Sequence, residues 1–496
     1  MKTKFAVVLG TAIAVMSGAA LAAGQWQDVP EGVDSVSTPG DWESLADQSS
    51  FVWAPEVQGN TKVPGTFLGT EGKQTFNKTL WVSGNTTAAQ ATGLAVSGAN
   101  GDLTNAGTIY VTSGQTTAED GTVTGTGNAW QNKAIWAGNG ATATNTGTIV
   151  AKNAYGMTVG KDGAASKLFN EGTIYVEEKG VGIELGGAAE STATNKGAII
   201  VGANERKDGN FTHGVLIKDQ NKAIFTNYGT IDASADNATA IEVQQEKATT
   251  DGTVLNFEAG SRVLGEVHIQ NGVTGTVLNA NGFNGTVDLN NESDELTINV
   301  NDGANIELED GNRSTISSAV INDGMLTASI WQNYEVEGED GQKVTVGDNT
   351  FKSVTVNEDG IFNIKRLNSG GTATDLANDP HDQLLIKGAD YTMNGGSLYV
   401  AGSNYTGKLK IGTASDKGTF TVTSGDYAFS NVIFGGHAEN ALNVNGGSVT
   451  VGEYNATWGQ TTVTGGLLSI GTLTLENAPV GDLKVDDEGT LEITEG

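Results

Sequence analysis

The 496-residue chain has no cysteine, only six prolines, few aromatic side chains, and 27 basic residues against 58 acidic ones. Past its first two dozen residues it has no long apolar run. Each shortage excludes something. Without cysteine there is no disulfide framework, no thiolate metal cluster and no thiol for a lipid anchor. A formal charge of −31 sets the chain against nucleic acid and anionic membrane surfaces by simple repulsion. What is abundant is glycine, 70 residues, with much asparagine, threonine, valine and alanine, the composition of a β-rich protein full of turns.

At the amino terminus Lys2 and Lys4 precede an apolar run from Phe5 to Met16, and small residues end in Ala20-Leu21-Ala22. This pattern predicts a secretory signal peptide over residues 1–22, cleaved after Ala22 and too short to anchor in a bilayer. A chain without cysteine that enters an oxidising compartment must draw its stability from something other than disulfides. Residues 23–76 differ in kind from the rest of the chain. They hold four of the six prolines and Trp26, Trp42 and Trp53, and are expected to form an N-terminal cap or linker, with ligand-binding aromatics as the alternative.

From residue 77 the chain repeats itself. Asn105-Ala-Gly107-Thr-Ile109 recurs at Asn145, Asn170, Asn195 (with Ala198 for Thr) and Asn227, and weaker members flank the series at Asn77 and Asn256. A unit near 25 residues therefore tolerates insertions without losing register. Aligning the units exposes three apolar columns with the period-two alternation of strands. The first follows the motif (Ile149 and Ala151, Ile174 and Val176), the second comes after a loop (Met157 and Val159, Ile183 and Leu185), and the third lies two residues before each asparagine (Leu103, Ala143, Leu168, Ala193, Phe225, Val254). Three short strands per unit make one triangular coil, which cannot bury its inner face alone but can when stacked at about 4.8 Å on the next. The expected fold is all-β, a right-handed parallel β-helix. Its corner asparagines should hydrogen-bond along the stack, and the glycine two residues later suits a bend at positive φ.

Residues 77–300 carry this form of the repeat. Over residues 301–496 the units change to Asn322-Asp-Gly324, Asn394-Gly-Gly396-Ser-Leu398 and Asn445-Gly-Gly447-Ser-Val449, which predicts the same solenoid continued. At roughly 25 residues per coil the rod would have about 17 coils and a length near 80 Å.

These units, behind a signal peptide in a glycine-rich acidic chain, resemble the passenger domains of autotransporters, the type V secreted, adhesin-like proteins of Gram-negative bacteria. The resemblance covers most of residues 77–496. It implies export, translocation across the outer membrane by a carboxy-terminal β-barrel, and display at the cell surface or release. That barrel is not present in the sequence: residues 480–496 read as another passenger coil, and a truncated gene product is the expectation. The resemblance implies a structural or adhesive rod acting in attachment or autoaggregation. Its partner would be a host or neighbouring-cell surface protein or glycan, or a second copy, with no nucleic acid.

Right-handed β-helices also include polysaccharide lyases and glycosidases, so a secreted polysaccharide-active enzyme is the alternative. Asp379, His381 and Asp382 form one acidic cluster and Asp486 with Asp487 another, but 58 carboxylates produce such pairs by chance. Gly435-Gly436-His437 lacks any completing pattern. His213 falls in an insertion, His268 points outward from a strand, and no Gly-x-Ser-x-Gly accompanies either. The runs Glu335–Asp340 and Asp486–Glu488 read as solvated turns rather than calcium sites. No enzymatic activity, catalytic residue, metal or cofactor is expected. Contact regions for adhesion are the insertions Gly114–Asn132 and Asn204–Asn210, together with Tyr110 and Tyr175 on one strand face.

Overall fold

The computed structural model describes residues 26–28, 30–31, 35–36, 50–53 and 68–83, and from 91 to 495 all but 113–115, 118–122, 125–131, 161–162, 188–189, 204–211, 220–221, 247–249, 310–313, 330–333, 338–342, 347–348, 366–382, 387, 401, 456–457, 475–481 and 487. Among the described residues the long sheets are parallel ladders, apart from one short antiparallel pairing of 399–400 with 403–404. The chain is a right-handed parallel β-helix with three faces.

The first face stacks Thr79–Ser83, Thr108–Thr112, Thr148–Lys152, Thr173–Glu177, Ala198–Val201, Thr230–Asp232 and Arg262–Leu264 in order. The second stacks Lys133–Gly138, Tyr155–Val159, Val181–Gly186, Thr212–Lys218, Ala238–Gln244 and Glu266–Ile269. The third stacks Thr142–Asn145, Lys167–Asn170, Thr192–Asn195, Ile224–Asn227, Val254–Glu258, Val277–Asn281 and Thr297–Asn301. The ladder runs on through Ser318–Ala328 and Ser353–Ile364, long strands that turn the corner from the third face to the first. Strands Phe51-to-Trp53 and Lys73-to-Phe76 pair in parallel with 80–82 and 102–105, so the segment before residue 77 adds rungs to the same stack.

β-branched residues alternating with polar ones suit a surface wet on one side and packed on the other. Inward side chains meet like side chains one coil away. Leu103, Ala143, Leu168, Ala193 and Phe225 lie in register on adjacent strands, and each is at most 1% exposed. Together with the first two columns they form one continuous apolar cluster from Phe76 to Ile470.

At the corner between the third and first faces lies the buried asparagine ladder. Asn105 Nδ2 donates to Asn145 Oδ1 at 2.7 Å, and Asn145 to Asn170, Asn170 to Asn195 and Asn195 to Asn227 follow at 2.8 Å each. All five asparagines are 0% exposed. The two flanking members fall elsewhere. Asn105 pairs with Phe76 rather than Asn77, and Asn227 with Phe257 rather than Asn256. The inward residue of that last coil is accordingly Leu255, with Val254 turned outward. A buried phenylalanine thus closes each end of the amide ladder, because its ring fills the corner where no further amide is available to pair.

The corner glycines are required for a reason other than positive φ. Neither the ladder asparagines nor Gly147, Gly172 and Gly197 adopt the left-handed region. A Cβ on Gly147 would lie 2.0 Å from Gly107 O, one on Gly172 2.1 Å from Gly147 O, and one on Gly197 1.9 Å from Gly172 O. Thr148, Thr173 and Ala198 N–H donate to those same carbonyls at 2.9 Å. Glycine here lets one coil's backbone sit directly on the next.

A second amide ladder, on the outside, begins where the buried one ends. Asn281, Asn301, Asn322, Asn357 and Asn394 each donate to the preceding coil, starting on Glu258 Oε1, over distances of 2.6–3.0 Å. Its polarity is reversed: donors in the buried ladder point to the later coil, and donors here point to the earlier one.

Candidate functional site

The sequence candidates do not converge. Asp379, His381, Asp382, Asp487 and the insertion Asn204–Asn210 lie outside the described residues. Asp486 uses its backbone in a turn, accepting from Gly489 N–H at 3.0 Å. Glu335–Glu337 lie in Tyr334–Glu337, which pairs antiparallel with Lys343–Val346. Within Gly114–Asn132, residues 116–117 and 123–124 form a short antiparallel pair. Asn132 is buried, accepting from Ala91 N–H at 2.9 Å and donating to Thr112 O at 2.5 Å. His437 accepts from Glu439 N–H at 3.1 Å, a turn contact.

Two outer surfaces gather more chemistry than the sequence indicated. On the first face, Tyr110 is buried rather than exposed: it stacks on Trp81 with ring centroids 5.4 Å apart, and Trp26 sits edge-on against it at 5.9 Å. Trp26 N–H donates to Glu177 Oε1 at 3.0 Å, and Trp81 Nε1–H donates to Gln27 O at 2.9 Å. The segment Trp26–Asp28 therefore straps across this aromatic surface and covers Tyr110, one of the two tyrosines expected to stand free for ligand, while Tyr175 is half-buried against the same cluster. Burial raises the Glu177 carboxyl above its ordinary range, with the Trp26 N–H and Lys152 pulling it back. Trp26→Ala should cost about 2 kcal/mol and raise acrylamide quenching of the remaining tryptophans; unchanged quenching would show that the strap does not cover Trp81 in solution.

The second face carries the charged groups. His213 does not fall in an insertion but in the strand Thr212–Lys218, paired between Val181 and Thr239. Outward from this sheet, Glu184, Leu216, Glu242, His268 and Asn290 form one column on successive strands. Lys218 Nζ lies 3.5 Å from Glu184 and 3.3 Å from Glu246. Glu242, 3% exposed, accepts from His268 Nδ1–H at 3.0 Å and from Gln270 Nε2–H at 2.7 Å, while His268 Nε2 is 3.7 Å from Glu292. Burial pushes the Glu242 carboxyl up, opposed by His268 and Gln270. Burial also opposes charge on His268, but its bond to Glu242 and the carboxylates of Glu242, Glu266 and Glu292 prevail and hold the imidazole above its ordinary value. The contact ties consecutive coils together. Glu242 alternates with the inward-facing Ile241 and Val243, and nothing local in the sequence signals its burial. Among the described residues, no three or more His, Cys, Asp or Glu side chains are grouped to hold a metal ion.

His213 differs from His268. Its Nδ1 is buried without a hydrogen-bond partner, and burial first, then Lys218 and His268, push its pKa down to about 4. A folded-state pKa below the unfolded one means the unfolded chain binds the proton first as pH falls. Stability from this residue is thus complete above the unfolded value near 6.5 and is lost as pH drops through about 4. Between pH 7 and 4 the wild type should lose roughly 3 kcal/mol more than His213→Gln, read from urea midpoints; parallel losses would refute the assignment.

Residues 60–229 match the family model described as BigA third pectate lyase-like domain. The match spans about a third of the chain and ends on Gly229, the glycine of the fifth Asn-x-Gly corner. No curated protein and no solved structure matches the chain. The BigA-like stretch contains the whole buried asparagine ladder and the strapped aromatic surface, whereas His268, Glu242 and the outer ladder lie beyond it. Its similarity and the parallel solenoid fit a β-helical passenger.

Proposed function

We propose that this chain is the passenger region of an autotransporter-like protein, exported through the signal peptide of residues 1–22 and displayed on or released from the surface of a Gram-negative cell. There it acts as a structural and adhesive rod in attachment or autoaggregation. The observation that carries the reading is the stack itself: parallel rungs follow one another along a single apolar core from Phe76 to Ile470, a construction suited to reach and lateral contact. The similarity of residues 60–229 to a BigA domain supports it.

The test is an immunoblot of fractionated native cells with and without external protease on intact cells. Protease-sensitive product in the outer-membrane fraction is the expected result. A protected periplasmic band would overturn display. No catalytic role is proposed for Glu242 and His268; depolymerisation of a polysaccharide by the purified chain, abolished by Glu242→Gln, would reverse that and favour a secreted glycan-active enzyme.

A further inference from the structure

The third face is chemically unlike the other two. From Val277–Asn281 to Gln460–Val463, eight successive coils present three outward columns on this face. The middle column runs from Asn279 through Asn299, Thr355 and Thr421 to Thr462, and the corner column contains the outer amide ladder. Asparagine, threonine, serine and valine fill nearly all of these positions, and Asp390 is their one charged side chain. The second face, by contrast, carries Glu184, Lys218, Glu242, Glu266 and His268. In a chain of net charge −31, a neutral strip this long and flat is where another acidic body can approach without repulsion.

We propose that this strip is a self-association surface that packs face to face against the same strip of a second copy. The inference rests on the adhesive-rod reading for its biological consequence and names the partner. Three features specify a copy of the chain. Seven spacings of about 4.8 Å by three alternate positions give roughly 35 by 20 Å, or about 1,400 Å² buried in total between two partners, within the range of a stable interface. Short side chains let two sheets approach to about 10 Å, and only a partner with the same rung repeat stays in step over the whole length. The ladder amides Asn301, Asn322 and Asn357 each spend one N–H and one lone pair on their neighbours, which leaves one of each toward the opposing face, whereas Asn394 at the end of the ladder accepts from Thr423 and Ser424. A surface offering both donors and acceptors in a regular row is complementary to itself, as a two-fold contact requires.

The purified full chain should associate reversibly in sedimentation velocity, more tightly at high salt because screening relieves the repulsion of the charged flanks. Thr355→Glu with Thr421→Glu should weaken the association by at least about tenfold, and Ser469→Glu, in the strand Leu467–Thr474 of a separate sheet outside the strip, should leave it unchanged. Since the chain has no native cysteine, Thr355→Cys should give dimers linked by a bis-maleimide that spans about 10 Å, and Ser469→Cys should not; this readout stands even if the double glutamate variant fails to fold. A monomer at every concentration and salt, equal association of the double variant, or linkage through Ser469→Cys alone would each overturn the proposal. All are read on purified protein, so they hold or fail independently of the protease test of display.

Discussion

Asn170→Ala should lower the unfolding free energy by about 3–5 kcal/mol, far more than the loss of one hydrogen bond. Asn170 sits at the middle rung of the buried ladder, accepting from Asn145 Nδ2 and donating to Asn195 Oδ1, both at 2.8 Å. Alanine leaves the Asn195 carbonyl oxygen without its donor and the Asn145 amide with only the longer contact to Gly147 O at 3.3 Å. Both orphans are buried where water does not reach, so each retains its desolvation cost. The same substitution on the outside, Asn299→Ala, removes a 2.8 Å bond to Asn279, but water replaces it and the cost should stay under about 1 kcal/mol. Chemical denaturation compares the two, and equal losses would mean that the ladder is ornamental. Amide exchange should further show protection falling in the coils flanking Asn170, because a stack of coils opens locally.

The second large effect is expected at a glycine. Gly197→Ala places a methyl group 1.9 Å from Gly172 O, and that oxygen is itself held by the Ala198 N–H at 2.9 Å. The neighbour is backbone, so no rotamer relieves the clash, and two coils must separate locally. We expect a loss of at least about 4 kcal/mol. Gly303→Ala is the matched control. Gly303 has φ +68° with nothing within 4 Å of its would-be Cβ, so alanine there meets only the intrinsic cost of the left-handed region, roughly 1–2 kcal/mol. Comparable losses at both sites would return the corner glycines to ordinary turn chemistry.

These two sites also show what the sequence conveyed. Inward columns such as Ile149, Ile174 and Ile199 were legible because alternation is a local property of a strand and stacking repeats it. The ladder was legible for the same reason. Its ends were not: Asn77 and Asn256 look like repeat members, yet each lies one residue away from the corner position held by phenylalanine. One residue of slip reverses inside and outside, and only the flanking strands decide it. The strap was beyond reach because Trp26 and Glu177 are 151 residues apart, with no periodicity linking them. The neutral third face lay between these extremes. Its residues were in view, but which of them share a column appears only once register is fixed across insertions.

The stacking of coils also determines how such a rod responds to a pull. Each coil is joined to its neighbours through parallel rungs, and a turn such as that between Asn145 and Asn170 holds 25 residues within a single rung's thickness. A tug on a terminus therefore loads the outermost coil rather than all coils together. When that coil detaches, about 4.8 Å of rod is exchanged for roughly 80 Å of extended chain. A rod built this way lengthens in steps under strain while the remaining coils stay folded.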